Sequence, residues 1–182
     1  MELLDIMLKR RSIRKYTHEN IPSEKLDKIL QAGLLAPTSR NRKPCEFIVV
    51  KDKKILKKLS QSKSAGSAMI EDADCAIVTI ADSDKADTWI EDSSIAMAYM
   101  DLMATNENVA SCWVQSHLRS TSDDIDSEEY IKELFNLDEK YRIVGILSLG
   151  INDTRPPAHT LDEIDNGKIQ RIEEYSINSS LV

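Results

Sequence analysis

The stretch Lys9-Arg10-Arg11-Ser12-Ile13-Arg14-Lys15-Tyr16 sets five cations and a hydroxyl side by side in eight residues. It stands in a chain whose formal net charge is −7. Neighbouring cations repel one another in water, so such a cluster makes sense if an anion sits among the side chains. Arginine suits that task, because its planar fork donates two parallel hydrogen bonds to phosphate oxygens where lysine offers a point charge. A second reading is a solvated helix end, since cations are favoured at helix C-termini. On these residues alone both readings stand.

Working outward, the 182 residues are enough for one domain with a sizeable core. The acidic balance argues against nucleic-acid and membrane-surface partners, which want a basic face. No apolar run reaches the length of a membrane span, and the first residues show no leader pattern. Three cysteines, Cys45, Cys75 and Cys112, have neither CxxC pairing nor metal-ligand spacing with histidine. They fit reduced thiols, and the expectation is a cytoplasmic protein without a metal site.

The apolar pattern predicts a helix from Met1 to Lys9 with Leu3, Ile6, Met7 and Arg10 on one face. Ser23 reads as the cap of a second helix that ends at Ala36-Pro37. A polar loop, Thr38-Ser39-Arg40-Asn41-Arg42-Lys43-Pro44, follows. Glu46 to Val50 reads as a strand buried on both faces, Lys53 to Ser60 as a helix, and Cys75 to Ile80 as a second buried strand. A helix from Trp89 to about Asn106 is marked as central, with Ile95, Tyr99, Leu102 and Met103 as its most apolar stripe. Ala110 to Val114 and Arg142 to Leu149 complete the strands. Asp126 and Glu129 between them form a capping box, with Ile125 and Tyr130 placed as a staple. The polar tail from Ile151 to Val182 holds one possible edge strand, Lys168 to Tyr175. Helices and strands therefore alternate around one mainly buried sheet.

With the loop and the strand after it in view, the chain resembles the FMN-dependent nitroreductase family. The matching pieces are Arg10 to Tyr16, Ala36 to Phe47, Glu91-Asp92-Ser93-Ser94-Ile95-Ala96, Ser111-Cys112-Trp113 and the strand end Leu149-Gly150. They occur in family order over most of residues 1 to 160. The resemblance implies an α+β fold with a central, mainly antiparallel sheet flanked by helices, in an intertwined homodimer with FMN at the subunit interface. By position, Arg10, Arg11, Ser12 and Arg14 would hold the phosphate, the ribityl chain and one ring edge. Pro37, Thr38, Ser39 and Asn41 would come from the partner, and Leu149 and Gly150 would lie along the ring. Arg155 and His159 are the candidates for a late phosphate contact. Residues 1–182 would form one domain, with 151–182 packing on the partner subunit.

The implied activity is transfer of electrons from NADH or NADPH, as transient donors, through the flavin to a small electron-poor acceptor such as a nitroaromatic or quinone, by ping-pong turnover. A flavin-binding carrier or redox sensor is the alternative. Lys43 and Cys45 depart from the family pattern, and Lys85 to Thr88 leaves little chain for a cover over the flavin. His117 reads as satisfying a local hydrogen bond. No residue is assigned as a catalytic acid, base or nucleophile, because a bound cofactor would carry the chemistry.

Overall fold

The computed structural model describes residues 2–152 and 154–172. Four strands, β1 (Cys45–Val50), β2 (Cys75–Asp82), β3 (Ala110–Gln115) and β4 (Tyr141–Gly150), form one sheet in the order β1-β2-β4-β3. Every neighbouring pair is antiparallel. Helices α2 (Ser23–Leu34) and α4 (Trp89–Asn106) cover one face, while α3 (Lys53–Ser60) and α5 (Ser127–Phe135) cover the other. The short α1 (Leu3–Lys9) lies against α4.

Strand periodicity sorts the core into two layers. Cys75, Ile77 and Ala81 of β2 pack toward α2 and α4, and Ala76, Val78 and Ile80 toward α3 and α5. In β4 the alternation changes phase. The register passes from Thr79 opposite Gly145 to Ile80 opposite Ile143, leaving Val144 as the extra residue of a bulge. Its carbonyl then accepts the amides of Ser116 and His117 at 2.9 and 3.1 Å. The helices on the first face meet closely because of Gly33. A β-carbon there would stand 2.8 Å from the Phe47 ring and 2.9 Å from Met100.

Most element ends fall where the periodicity places them, but five expectations are corrected. Among the described residues β1 is an edge strand, paired only with β2, and Val50 alone of its residues is buried. The stripe Ile95, Tyr99, Leu102 and Met103 is the outward side of α4, with Tyr99 44% exposed. The helix buries Ala96, Met97, Met100, Asp101 and Ala104 instead. With α1, that outward stripe walls a groove of about 470 Å³ lined by Leu3, Ile6, Met7, Leu102 and Met103. Ser23 is the first helical residue rather than a cap, and α2 stops at Leu34. Asp126 accepts the amides of Glu128 and Glu129 at 2.8 and 3.3 Å, but Glu129 turns to Lys132 instead of completing the box. Finally, Ile169 to Ile172 is not a strand, and the remainder of the expected edge strand, 173–175, lies outside the described residues.

Candidate functional site

The basic cluster leaves α1 and is sewn onto the sheet edge. Arg10 ends the helix, its amide bonded to the Ile6 carbonyl at 2.9 Å. Ser12 then makes a one-residue parallel bridge to Ser111 of β3, and the Ile13 amide donates to the Ser111 carbonyl at 2.8 Å. Buried Ile13 anchors this piece in the core. Farther on, the Thr17 amide donates to the Ile151 carbonyl at 2.7 Å. Between these two ties sits Tyr16, whose ring fills the place where a Gly150 side chain would be. A β-carbon there would lie 2.5 Å from the ring. The Tyr16 phenol reaches the Ile13 carbonyl at 3.0 Å and the Ser148 hydroxyl at 2.9 Å, and burial holds its proton on well above the ordinary range. Leu149 and Gly150 are thus brought to the cluster, but Leu149 points into the core and Gly150 is covered by Tyr16.

The four arginines fall into two kinds. Arg10 stands 3.5 Å from the Asp101 carboxylate of α4. Asp101 is buried and also accepts the Ser111 hydroxyl at 2.5 Å. Burial raises its pKa above the usual carboxylate value, and the Ser111 hydrogen bond and Arg10 act the other way. Arg11 donates to the Pro157 carbonyl, while the His159 amide donates to the Leu8 carbonyl at 2.8 Å. These contacts fold residues 157–159 onto their own α1, two residues after Arg155. The His159 ring is engaged by Glu163 at 2.7 Å, so its imidazole is already partnered. Among the described residues, Arg11, Arg14 and Arg155 form no ion pair of the kind that Arg10 and Arg142 make, although Arg11 is near enough to Glu163 to help lower its pKa. Arg14 is close enough to the buried Cys112 thiol to lower its pKa, although burial raises it more.

The second set of candidates, Pro37, Thr38, Ser39 and Asn41, sits elsewhere. Thr38 caps its own loop, its hydroxyl accepting the Lys43 amide and its carbonyl the Asn41 amide, both at 3.0 Å. Arg40, Asn41 and Lys43 have φ of 51°, 55° and 49°, in the left-handed region that non-glycine residues rarely enter. Strain of this sort persists where the surroundings fix it, and it collects at functional loops. Here the fixing group is Asp92 of α4, buried, which accepts the Ser39 amide at 3.0 Å and the Thr88 hydroxyl at 3.2 Å.

Asp92 and Asp101 are nine residues apart (101 − 92) on one helix. At about 100° and 1.5 Å per residue they face opposite sides of α4, ~13 Å apart along its axis. The structure therefore gathers Arg10, Arg11, Ser12, Arg14, Gly150 and His159 at one place, with Arg155 four residues before His159, and Pro37, Thr38, Ser39 and Asn41 at another. Asp92, Asp101, Ser111 and Tyr16 are the residues that sequence reasoning left without a role. Asp101 carried a signal, a carboxylate in the otherwise apolar run from Ala96 to Ala104. Among the described residues no group of histidine, cysteine and carboxylate side chains could hold a metal ion.

Comparison with known proteins adds a family. The Nitroreductase family model matches residues 7–67 and 60–151. A protein of Archaeoglobus fulgidus, provisionally named NADH dehydrogenase/NAD(P)H nitroreductase, is 34% identical over 153 residues, covering 82% of this chain and 84% of its own length. Among solved structures, an FMN-dependent nitroreductase from Clostridium difficile R20291 superposes with a TM-score of 0.89 at 41% identity, covering 94% of this chain and 99% of its own. A nitroreductase with bound FMN from Bacteroides fragilis superposes with a TM-score of 0.74 at 25% identity, over 95% of this chain and 100% of its own.

Proposed function

The chain belongs to the nitroreductase family, and from that premise we propose that it is an FMN-dependent oxidoreductase using NADH or NADPH as electron donor. One observation carries this reading: in a protein of net charge −7, Arg11 and Arg14 flank Ser12 where it docks on β3, and Arg14 has no carboxylate in salt-bridge reach among the described residues, while Arg11 has only the more distant Glu163. Guanidinium groups without close ion pairs, next to a hydroxyl and a strand end, suit a phosphomonoester on a larger ligand. Ser12 would meet the ribityl chain, and the strand end at Leu149-Gly150 would close the wall beside the ring. The imidazole of His159 is tied to Glu163, which favours Arg155 for the late phosphate contact. Bound FMN would supply hydride acceptance at N5 and onward electron transfer, and the chain would bind, orient and shield it.

The reading includes a homodimer. The loop of Pro37, Thr38, Ser39 and Asn41 would reach the cluster from the partner subunit, since α4 keeps the two sets on opposite sides within one chain. The outward apolar stripe of α4, with Leu3 at 61% and Leu35 at 79% exposure, supplies a surface for a second copy. Residues 1–182 would act as one domain, with 151–182 starting on its own α1 and continuing onto the partner. Among the described residues no helix is long and apolar enough to cross a membrane, in keeping with the proposed cytoplasmic location. An electron-poor small molecule such as a nitroaromatic or quinone would follow the donor at one open face, giving ping-pong kinetics.

Titrating the apo-protein with FMN and with riboflavin tests the phosphate reading. Arg14→Ala should weaken FMN by about one to two decades, the value of a charge-assisted hydrogen bond, and leave riboflavin unchanged. Equal affinities of the wild-type protein for both flavins would end it. Bleaching of bound flavin by NAD(P)H and its recovery with a quinone separate an enzyme from a carrier. Sedimentation of the flavin-loaded protein as a monomer would contradict the shared site.

A further inference from the structure

Asp101 is an expensive residue to keep where it is. It lies on the buried side of α4 among Met97, Met100 and Ala104, where an apolar side chain would fit the layer. A carboxylate taken out of water needs partners to offset its lost hydration. Two are present among the described residues, and both belong to the basic cluster or its dock. The Ser111 hydroxyl donates to Asp101 at 2.5 Å, and Arg10 lies 3.5 Å from its other oxygen. The same Ser111 accepts the Ile13 amide through its carbonyl. One strand residue thus fixes the backbone of the cluster and the carboxylate behind its first arginine.

From this geometry we propose that Asp101 is a positioning residue. It presets the Arg10 guanidinium for the phosphate, with Ser111 holding the carboxylate in place. Arginine has a long side chain with many rotamers, and ordering it on binding weakens affinity. A brace formed before the ligand arrives removes that loss. Arg10 has five N–H donors in a fixed fork. An ion pair to Asp101 on one side leaves donors on the other for phosphate oxygens. Arg14 and Arg155 would then supply charge that no close ion pair compensates, and Arg10 would supply direction. The inference rests on the phosphate reading given above.

The test uses apo-protein titrated with FMN and riboflavin, for the wild type, Asp101→Asn, Arg10→Ala, the double variant and Ser111→Ala. Asp101→Asn keeps the shape and removes the charge. It should raise the FMN dissociation constant about tenfold, the scale of one misdirected charge-assisted hydrogen bond. Riboflavin binding should stay the same. Adding Asp101→Asn to Arg10→Ala should bring no further loss, because the effect acts through Arg10. Ser111→Ala should give a smaller, equally FMN-selective loss, and it decides the matter if Asp101→Asn does not fold. Unchanged or tighter FMN binding in Asp101→Asn would overturn the inference, as would equal weakening of both flavins or full additivity in the double variant. A wild-type protein that does not prefer FMN overturns the phosphate reading, and with it the purpose assigned to Asp101. The wild-type ratio and the variant ratio therefore fail separately.

Discussion

Two buried carboxylates, Glu128 on α5 and Asp101 on α4, meet arginines in opposite ways. Glu128 receives both Arg142 Nε and Arg142 NH2, at 3.0 and 3.2 Å, the Ile143 amide at 3.0 Å, and His117 at 2.5 Å. Arg142 in turn stacks over Trp89 at 4.5 Å, and Trp89 meets His117 edge-on. Burial would raise the Glu128 carboxyl, but these donors outweigh it and hold its pKa below the ordinary value. Asp101 has fewer contacts and a longer ion pair, burial wins, and its pKa lies above the ordinary value. A carboxylate held by four close contacts closes its cluster electrostatically and serves the fold. A cluster that leaves an arginine half engaged has room for something else.

The largest effect should come from the closed cluster. Glu128→Ala strands the Ile143 amide and one face of Arg142, and should lower unfolding free energy by about 3 kcal/mol. Denaturant unfolding measures this, and the FMN affinity of the folded protein should be unchanged. A loss of flavin affinity as well would mean that the two regions are not separate.

A second, smaller difference concerns pH. Glu128 has a folded pKa below its unfolded one, so its share of stability is present above the unfolded value. That share is lost as pH falls through the folded value. Thermal unfolding of Glu128→Gln should show a flatter acid limb than the wild type does. Equal limbs would remove Glu128 from the account.

The smallest effect has the opposite sign. The raised pKa of Asp101 means that folding favours its neutral form. Its contribution is fullest below the unfolded pKa and is lost as pH rises through the folded one. Asp101→Asn should therefore be as stable as the wild type at neutral pH, or more stable by about 1 kcal/mol. If it is instead destabilised as Glu128→Ala is, the two carboxylates are alike and the contrast fails.

Much of this arrangement was legible from the sequence, for identifiable reasons. The ends of α4 at Trp89 and Asn106 and the run of β4 follow from long apolar stretches bounded by polar turns. The basic cluster was visible because its charge opposes that of the chain. Apolarity says that a surface is covered, but not by which chain. For that reason Val49 on the edge strand and Tyr99 on the outer stripe looked like core and are exposed. The left-handed residues Arg40, Asn41 and Lys43 carry no glycine to announce them. Asp101 escaped a role because α4 was read for its apolar positions. The informative residue was the one that broke them.

The half turn between Asp92 and Asp101 also limits how this protein can vary in length. One residue added to α4 between them would swing Asp101 by about 100° and slide it about 1.5 Å. Arg10 would then face a methionine, while the Ser39 loop stayed docked on Asp92. A deletion would do the same in the other direction. The turn from Lys85 to Asp87 lies outside both sockets, whereas Thr88 belongs to that of Asp92. Between these two carboxylates the helix must be inherited residue for residue.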